Sequence, residues 1–150
     1  MRTKIGEGGV LVLALVLASL ALQAPVVCAD DLTGSTTLLC AGVQATECFE
    51  GGECGIDLPE NLNMPAFIEI DLDAKLLSTT AASGENRTTP ITALSREDGS
   101  IFLQGHEMGK GFTFVIDEQS GQVTVAIAAQ GRAVIVFGNC TPLATASGNK

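Results

Sequence analysis

The chain has no tryptophan and no tyrosine, only one histidine, and eight basic residues against seventeen acidic ones. Each shortage removes a class of function. Sites for carbohydrate and for single-stranded nucleic acid lean on stacked aromatic rings, which six Phe alone supply poorly. A net charge of −9 is repelled by phosphate backbones and anionic lipid, so neither nucleic acid nor an anionic membrane surface is expected as a partner. There is no Gly-x-Gly-x-x-Gly, P-loop, His-Glu-x-x-His or Gly-x-Ser-x-Gly, the patterns that announce nucleotide, zinc-protease and serine-hydrolase sites. The absence of Cys-x-x-Cys leaves no zinc ribbon and no covalent haem. No cofactor is expected.

What is present begins with an export signal. Arg2 and Lys4 precede an apolar run from Val10 to Leu22 broken only by Ser19, and Val27-Cys28-Ala29 offers the small-residue end a signal peptidase accepts. The run is about 13 residues, short of the roughly 20 that span a bilayer, and Gln23 and Pro25 interrupt its continuation. Cleavage after Ala29 is therefore expected, with no membrane span left. Acylation of Cys28 is disfavoured, because the preceding Val27 is larger than such a site prefers. Residues 30–150 then form a single exported domain, periplasmic or extracellular. With Arg2, Lys4 and Glu7 removed, its charge is −10.

The strongest structural pattern lies between Ile101 and Cys140. Four short apolar runs, Ile101–Leu103, Phe112–Ile116, Val123–Ala128 and Ala133–Phe137, are separated by Gly-bearing polar turns, which is the pattern of an antiparallel meander. Phe112, Phe114 and Ile116 alternate with polar neighbours, as do Val123, Val125 and Ile127. Ala133–Phe137 is apolar at every position and is expected to be covered on both sides. Upstream, Ser35–Val43 reads as a strand. Ala66–Thr79 alternates without interruption and reads as one long strand, and Arg87–Ser95 is a weaker strand with Pro90 at an edge or bulge. The expected fold is all-β, a single antiparallel meander of about seven to nine strands curled into an up-and-down barrel. An immunoglobulin-like β-sandwich is the alternative, disfavoured because consecutive hairpins leave little room for Greek-key crossings and the usual core Trp is missing.

Four cysteines remain after signal cleavage. Cys48 and Cys54 enclose five residues including Gly51 and Gly52, close enough for a hairpin bridge. Cys40 lies in the first strand and Cys140 at the end of the last. Closing the meander makes those strands neighbours, so Cys40–Cys140 is the second expected disulfide.

The residues that could carry chemistry are few. His106 and Glu107 sit in Gln104–Gly111, the most loop-like join of the meander, and Ser95 or Ser100 could serve as nucleophile for a hydrolase-type site. Glu69, Asp71 and Asp73 share one strand face and could offer oxygens to a divalent cation, although a pleated strand spreads carboxylates apart. Glu47, Glu50, Glu53 and Asp57 form a second acidic rim. Three segments, Leu103-Gln-Gly-His-Glu-Met-Gly109, Phe112–Asp117 and Val136-Phe-Gly-Asn-Cys-Thr141, resemble the closing third of certain small exported bacterial proteins of unknown function. That resemblance implies bacterial export and carries no activity with it. The function these readings point to is a non-catalytic, disulfide-stapled binding or interaction module, not an enzyme, whose partner is a protein or a small molecule. An apolar ligand requires that the barrel interior be a cavity and not filled solid.

Overall fold

Nine antiparallel strands follow one another in a computed structural model that describes residues 31–143 apart from residue 84. They are β1 (Thr37–Phe49), β2 (Cys54–Asp57), β3 (Phe67–Asp71), β4 (Leu76–Thr79), β5 (Thr88–Glu97), β6 (Ser100–Glu107), β7 (Lys110–Asp117), β8 (Gln122–Ala129) and β9 (Arg132–Pro142). Each strand from β3 to β9 pairs with the next, and β1 pairs with both β3 and β9. Eight strands therefore close into a meander barrel. The ninth, β2, is a short hairpin strand that lies along the far half of β1. A single sheet closed on itself sets the sandwich aside. Two 3₁₀ turns, Pro59–Leu62 and Ala81–Ser83, complete the described elements, and among the described residues no helix is long and apolar enough to cross a membrane. Segment 1–29, expected from the sequence to be an export signal, lies with Cys28 outside the described residues.

The closing ladder runs from Leu38 opposite Pro142 to Phe49 opposite Arg132, with a bulge between Gly42 and Gln44. Glycines make room for the close strand approach at the bulge. Gly42 faces Gly138, and a Cβ on Gly138 would run into the Ala41 carbonyl. One extra residue on one strand flips the side-chain phase. Leu38 and Cys40 point inward before the bulge, and Ala45 and Glu47 after it. Both expected disulfides form across paired strands. Cys40–Cys140 joins β1 to β9 and Cys48–Cys54 joins β1 to β2, each between directly opposed residues.

Short turns keep the meander tight. Asp98-Gly99 and Met108-Gly109 are two-residue hairpin turns in which both φ angles are positive (52° and 76°; 51° and 78°). Such turns match the right-handed twist of the strands they join, and Asn, Asp or Gly fit them best. Met108 is the misfit, 86% exposed and held in the left-handed region.

Three expectations need correction. Ala66–Thr79 is not one strand. It is the β3–β4 hairpin, turned at Leu72–Lys75, where the Asp71 carboxylate accepts a hydrogen bond from the Ala74 N–H (2.7 Å) and Lys75 takes a φ of 54°. The alternation runs on through the turn by coincidence, but its phase changes, so Leu77 and not Leu76 is buried. His106 does not lie in a loop. Strand β6 continues through Glu107 and pairs His106 with Gly111. The last apolar run is covered on one side only, with Val134 and Val136 inside and Phe137 43% exposed.

The two cysteine pairs should differ in value. In the chain-entropy model the 100-residue Cys40–Cys140 separation contributes about 4–5 kcal/mol, and the six-residue Cys48–Cys54 separation about 2 kcal/mol. Urea denaturation of Cys40→Ala/Cys140→Ala and Cys48→Ala/Cys54→Ala should show that ordering, and equal losses would contradict it. Met108→Asn should raise stability by roughly 0.5–1 kcal/mol in the same assay, because Asn tolerates the left-handed backbone.

Candidate functional site

Alternation sends every second side chain of each barrel strand inward, and the two ends of the barrel use this differently. At one end Leu38, Ile70, Ile101 and Ile116 meet with no exposed surface, and Leu32 is drawn in beneath them. The Leu32 N–H donates to the Glu118 carbonyl (2.7 Å). Arg96 clamps the same region, bonding the Glu118 carboxylate (2.8 Å) and the Ser35 carbonyl (2.6 Å). That end is sealed.

Toward the other end the side chains do not meet, and a cavity of about 160 Å³ is left between them. Ile68, Leu77, Phe112, Phe114, Val125 and Val134 form much of its wall. Phe112 and Phe114 stack edge to face, centroids 5.7 Å apart. Gly105 makes room for the Phe112 ring. A Cβ there would collide with the ring and come within 2.9 Å of the Pro90 carbonyl oxygen. Because apolar cavities near 150 Å³ remain dry and take up a benzene, this space suits one ring or a short alkyl chain.

The segment from Pro59 to Pro65 half-covers the opening. Pro59 is buried, and Leu62 and Met64 pack against the core. Local hydrogen bonds hold the segment in shape: Met64 N–H donates to the Pro59 carbonyl (3.1 Å), and the Asp57 carboxylate accepts from Asn61 Nδ2 (2.5 Å) and the Leu58 N–H (2.8 Å). The Asn61 bond, then the Leu58 bond, pull the Asp57 carboxyl below its ordinary range.

Polar residues ring the mouth. Arg87, whose backbone N–H donates to the Thr79 hydroxyl and whose carbonyl accepts from the Thr79 N–H, pairs through its side chain with Glu107 (3.0 Å) and with the more exposed Glu85 (3.3 Å). The Arg87 hydrogen bond is the main reason the Glu107 carboxyl lies below its ordinary value, against burial, which pushes it up; Thr89 and Lys110 act in the same direction as Arg87. Lys110 faces Glu107 across the β6–β7 hairpin. Arg132 forms an ion pair through its Nε with Glu47, the residue the β1 bulge has turned inward.

The residues singled out in the sequence are scattered by this arrangement. His106 and Glu107 are consecutive on a strand, so they point to opposite faces. Glu107 enters the mouth while His106 is exposed outside, and the pair needed for a hydrolase-type site is not brought together. Ser95 is likewise exposed on β5, and Ser100 sits at the β5–β6 turn. Of the acidic strand residues, Asp71 is engaged in the β3–β4 turn, and Asp73 lies within that turn. On the acidic rim, Glu47 pairs with Arg132, and Asp57 is tied to Asn61. Among the described residues no group of three His, Cys, Asp or Glu side chains is placed to hold a metal ion. Arg87, Lys110 and Arg132 were not evident as site residues, although one signal points to them. Each continues an inward-facing series: 87-89-91 running into β5, 110-112-114 in β7 and 132-134-136 in β9. No family model and no curated protein matches the chain, so the site is read from its own geometry.

A pH titration tests the Glu107–Arg87 pair. A depressed carboxyl pKa contributes stability that is present above its unfolded value and lost as pH falls. Wild type should therefore exceed Glu107→Gln in stability at pH 7, with the gap closing as pH drops below about 4.5, the carboxyl's ordinary value. A gap unchanged at pH 3 would rule out the carboxylate as its source.

Proposed function

We propose that the protein is a non-catalytic binding module that holds one small apolar group in the mouth of its barrel. The observation that carries this reading is the cavity itself, sealed at one end, apolar in its walls and ringed by polar groups where it opens. Eight-stranded barrels enclose just enough space for either packed side chains or one small ligand, and here the side chains stop short of filling it. An apolar wall supplies affinity, and a few polar groups at the rim orient the ligand. Catalysis finds less support, because the single histidine and the inward carboxylate face opposite sides of β6. Two disulfides in a small domain are compatible with an oxidising compartment. Together with the N-terminal signal and the resemblance of the last third, they support export from a bacterial cell to the periplasm or medium.

Benzyl alcohol is a suitable first probe. Burying about 150 Å² of ring at roughly 25 cal/mol per Å² contributes about 4 kcal/mol, equivalent to a Kd near 1 mM. Methyl-resolved NMR should show saturable shifts at Ile68, Val125, Ile127 and Val134, with Ile101 and Ile116 at the sealed end unmoved. Ala129→Phe places a ring in the mouth and should abolish the shifts. Ala128→Phe, on the exposed face of the same strand, should not. Shifts that are absent, or that survive Ala129→Phe, would refute the reading.

A further inference from the structure

Basic residues are scarce in this protein, and their placement is uneven. Of the five among the described residues, Lys75 lies in the β3–β4 turn and Arg96 clamps the sealed end. The other three, Arg87, Lys110 and Arg132, all line the barrel cavity described above, where Glu107 is the sole carboxylate in the lining. A chain of net charge −9 has thus gathered most of its described cations at the entrance to its apolar well.

These cations are not equally occupied. Arg87 is engaged on both sides by Glu107 and Glu85. Arg132 meets Glu47 as an ion pair through a buried Nε that makes no hydrogen bond of its own, and among the described residues its two terminal amino groups make no side-chain bond either. The Lys110 ammonium makes no ion pair or hydrogen bond within the described residues; its influence on Glu107 is Coulombic. Glu47 and Glu85, the carboxylates behind the two arginines, lie outside the lining. The groups that face the cavity with donors to spare are a guanidinium fork and an ammonium.

We infer that the ligand of this cavity is a small amphipathic monoanion, a ring or short alkyl chain ending in a carboxylate, whose tail fills the apolar well and whose charge is met by Arg132 and Lys110. The inference rests on the cavity reading above and specifies its ligand. A guanidinium fork matches a carboxylate in geometry, and charge-assisted hydrogen bonds are roughly twice as strong as neutral ones. Glu107 at the same opening disfavours a dianion. The acidity of the whole molecule opposes any anion, but it acts at long range. At physiological ionic strength charges are screened beyond about 8 Å, so a carboxylate seated in the mouth responds mainly to the cations it touches.

The experiment compares three ligands of one shape, benzoate, benzyl alcohol and benzylamine, by NMR titration of the full domain at pH 7. Benzoate should bind about tenfold more tightly than benzyl alcohol, benzylamine should bind most weakly, and 1 M NaCl should shrink the benzoate preference. Lys110→Gln should narrow the benzoate-to-alcohol ratio several-fold. The Glu47→Gln/Arg132→Gln double variant, which removes the pair together so that no partly buried charge is orphaned, should narrow it as well. Benzoate binding no better than benzyl alcohol, or a preference that survives both variants, would overturn the anion assignment while leaving the cavity reading in place. If none of the three ligands binds, both readings fall.

Discussion

The pairing of β1 with β9 is the constraint on which the rest of the structure depends. Without it the meander would be an open sheet with two exposed edges and an unsealed interior. With it, the inward side chains of eight strands surround one space, and the Cys40–Cys140 bridge pins the two strands together from inside the barrel, both cysteines being nearly inaccessible. The same ladder sets the site. Its bulge turns Glu47 inward to meet Arg132, and its far half carries the hairpin from which the Pro59–Pro65 cover is hung. Closure and cavity are one feature of the chain.

The barrel divides its two ends between stability and access. At the sealed end large aliphatic side chains converge, and an arginine is spent on fastening the N-terminal segment beneath them. At the open end the inward positions of β6, β7 and β9 change from apolar to charged in the last residue of each series, at Glu107, Lys110 and Arg132. Charge there is inexpensive because the groups remain partly wet, and it marks the depth at which the interior stops being core.

Much of this was legible in the sequence, and the parts that were not share a physical cause. The meander, the Gly-bearing turns that follow β7 and β8, and both cysteine pairings follow from alternation, turn chemistry and the single closure that brings first and last strands together, whereas the tight β6–β7 turn reads as a loop. Alternation reports which residues share a face only while the strand is regular. In β1 the bulge at Gly42–Gln44 transfers the inward set from Leu38 and Cys40 to Ala45 and Glu47. In β5 the irregularity between Ile91 and Ala93 transfers it from Thr89 and Ile91 to Leu94 and Arg96. In the β3–β4 hairpin a turn kept the apolar rhythm and concealed a reversal of direction. The candidate site was harder to see, because its charged members sit at strand ends, where a charge in the inward series looks like the edge of a loop. Proximity in sequence misled as well: His106 and Glu107 are adjacent in the chain and face opposite sides of the wall.

Closure by the first and last strands also orders events in time. β1 can pair locally with β2 and β3 as soon as those segments exist, but its longest ladder is with β9, about a hundred residues later, and Cys40 has no partner until Cys140 arrives. Contacts of such sequence separation form late and slowly, because the loop they close must first lose its freedom. A nascent copy therefore stays unclosed, with its interior accessible, until its final strand has been made. The bond that locks the barrel cannot form before residue 140 has been made, so the interior is enclosed in one late step and not strand by strand.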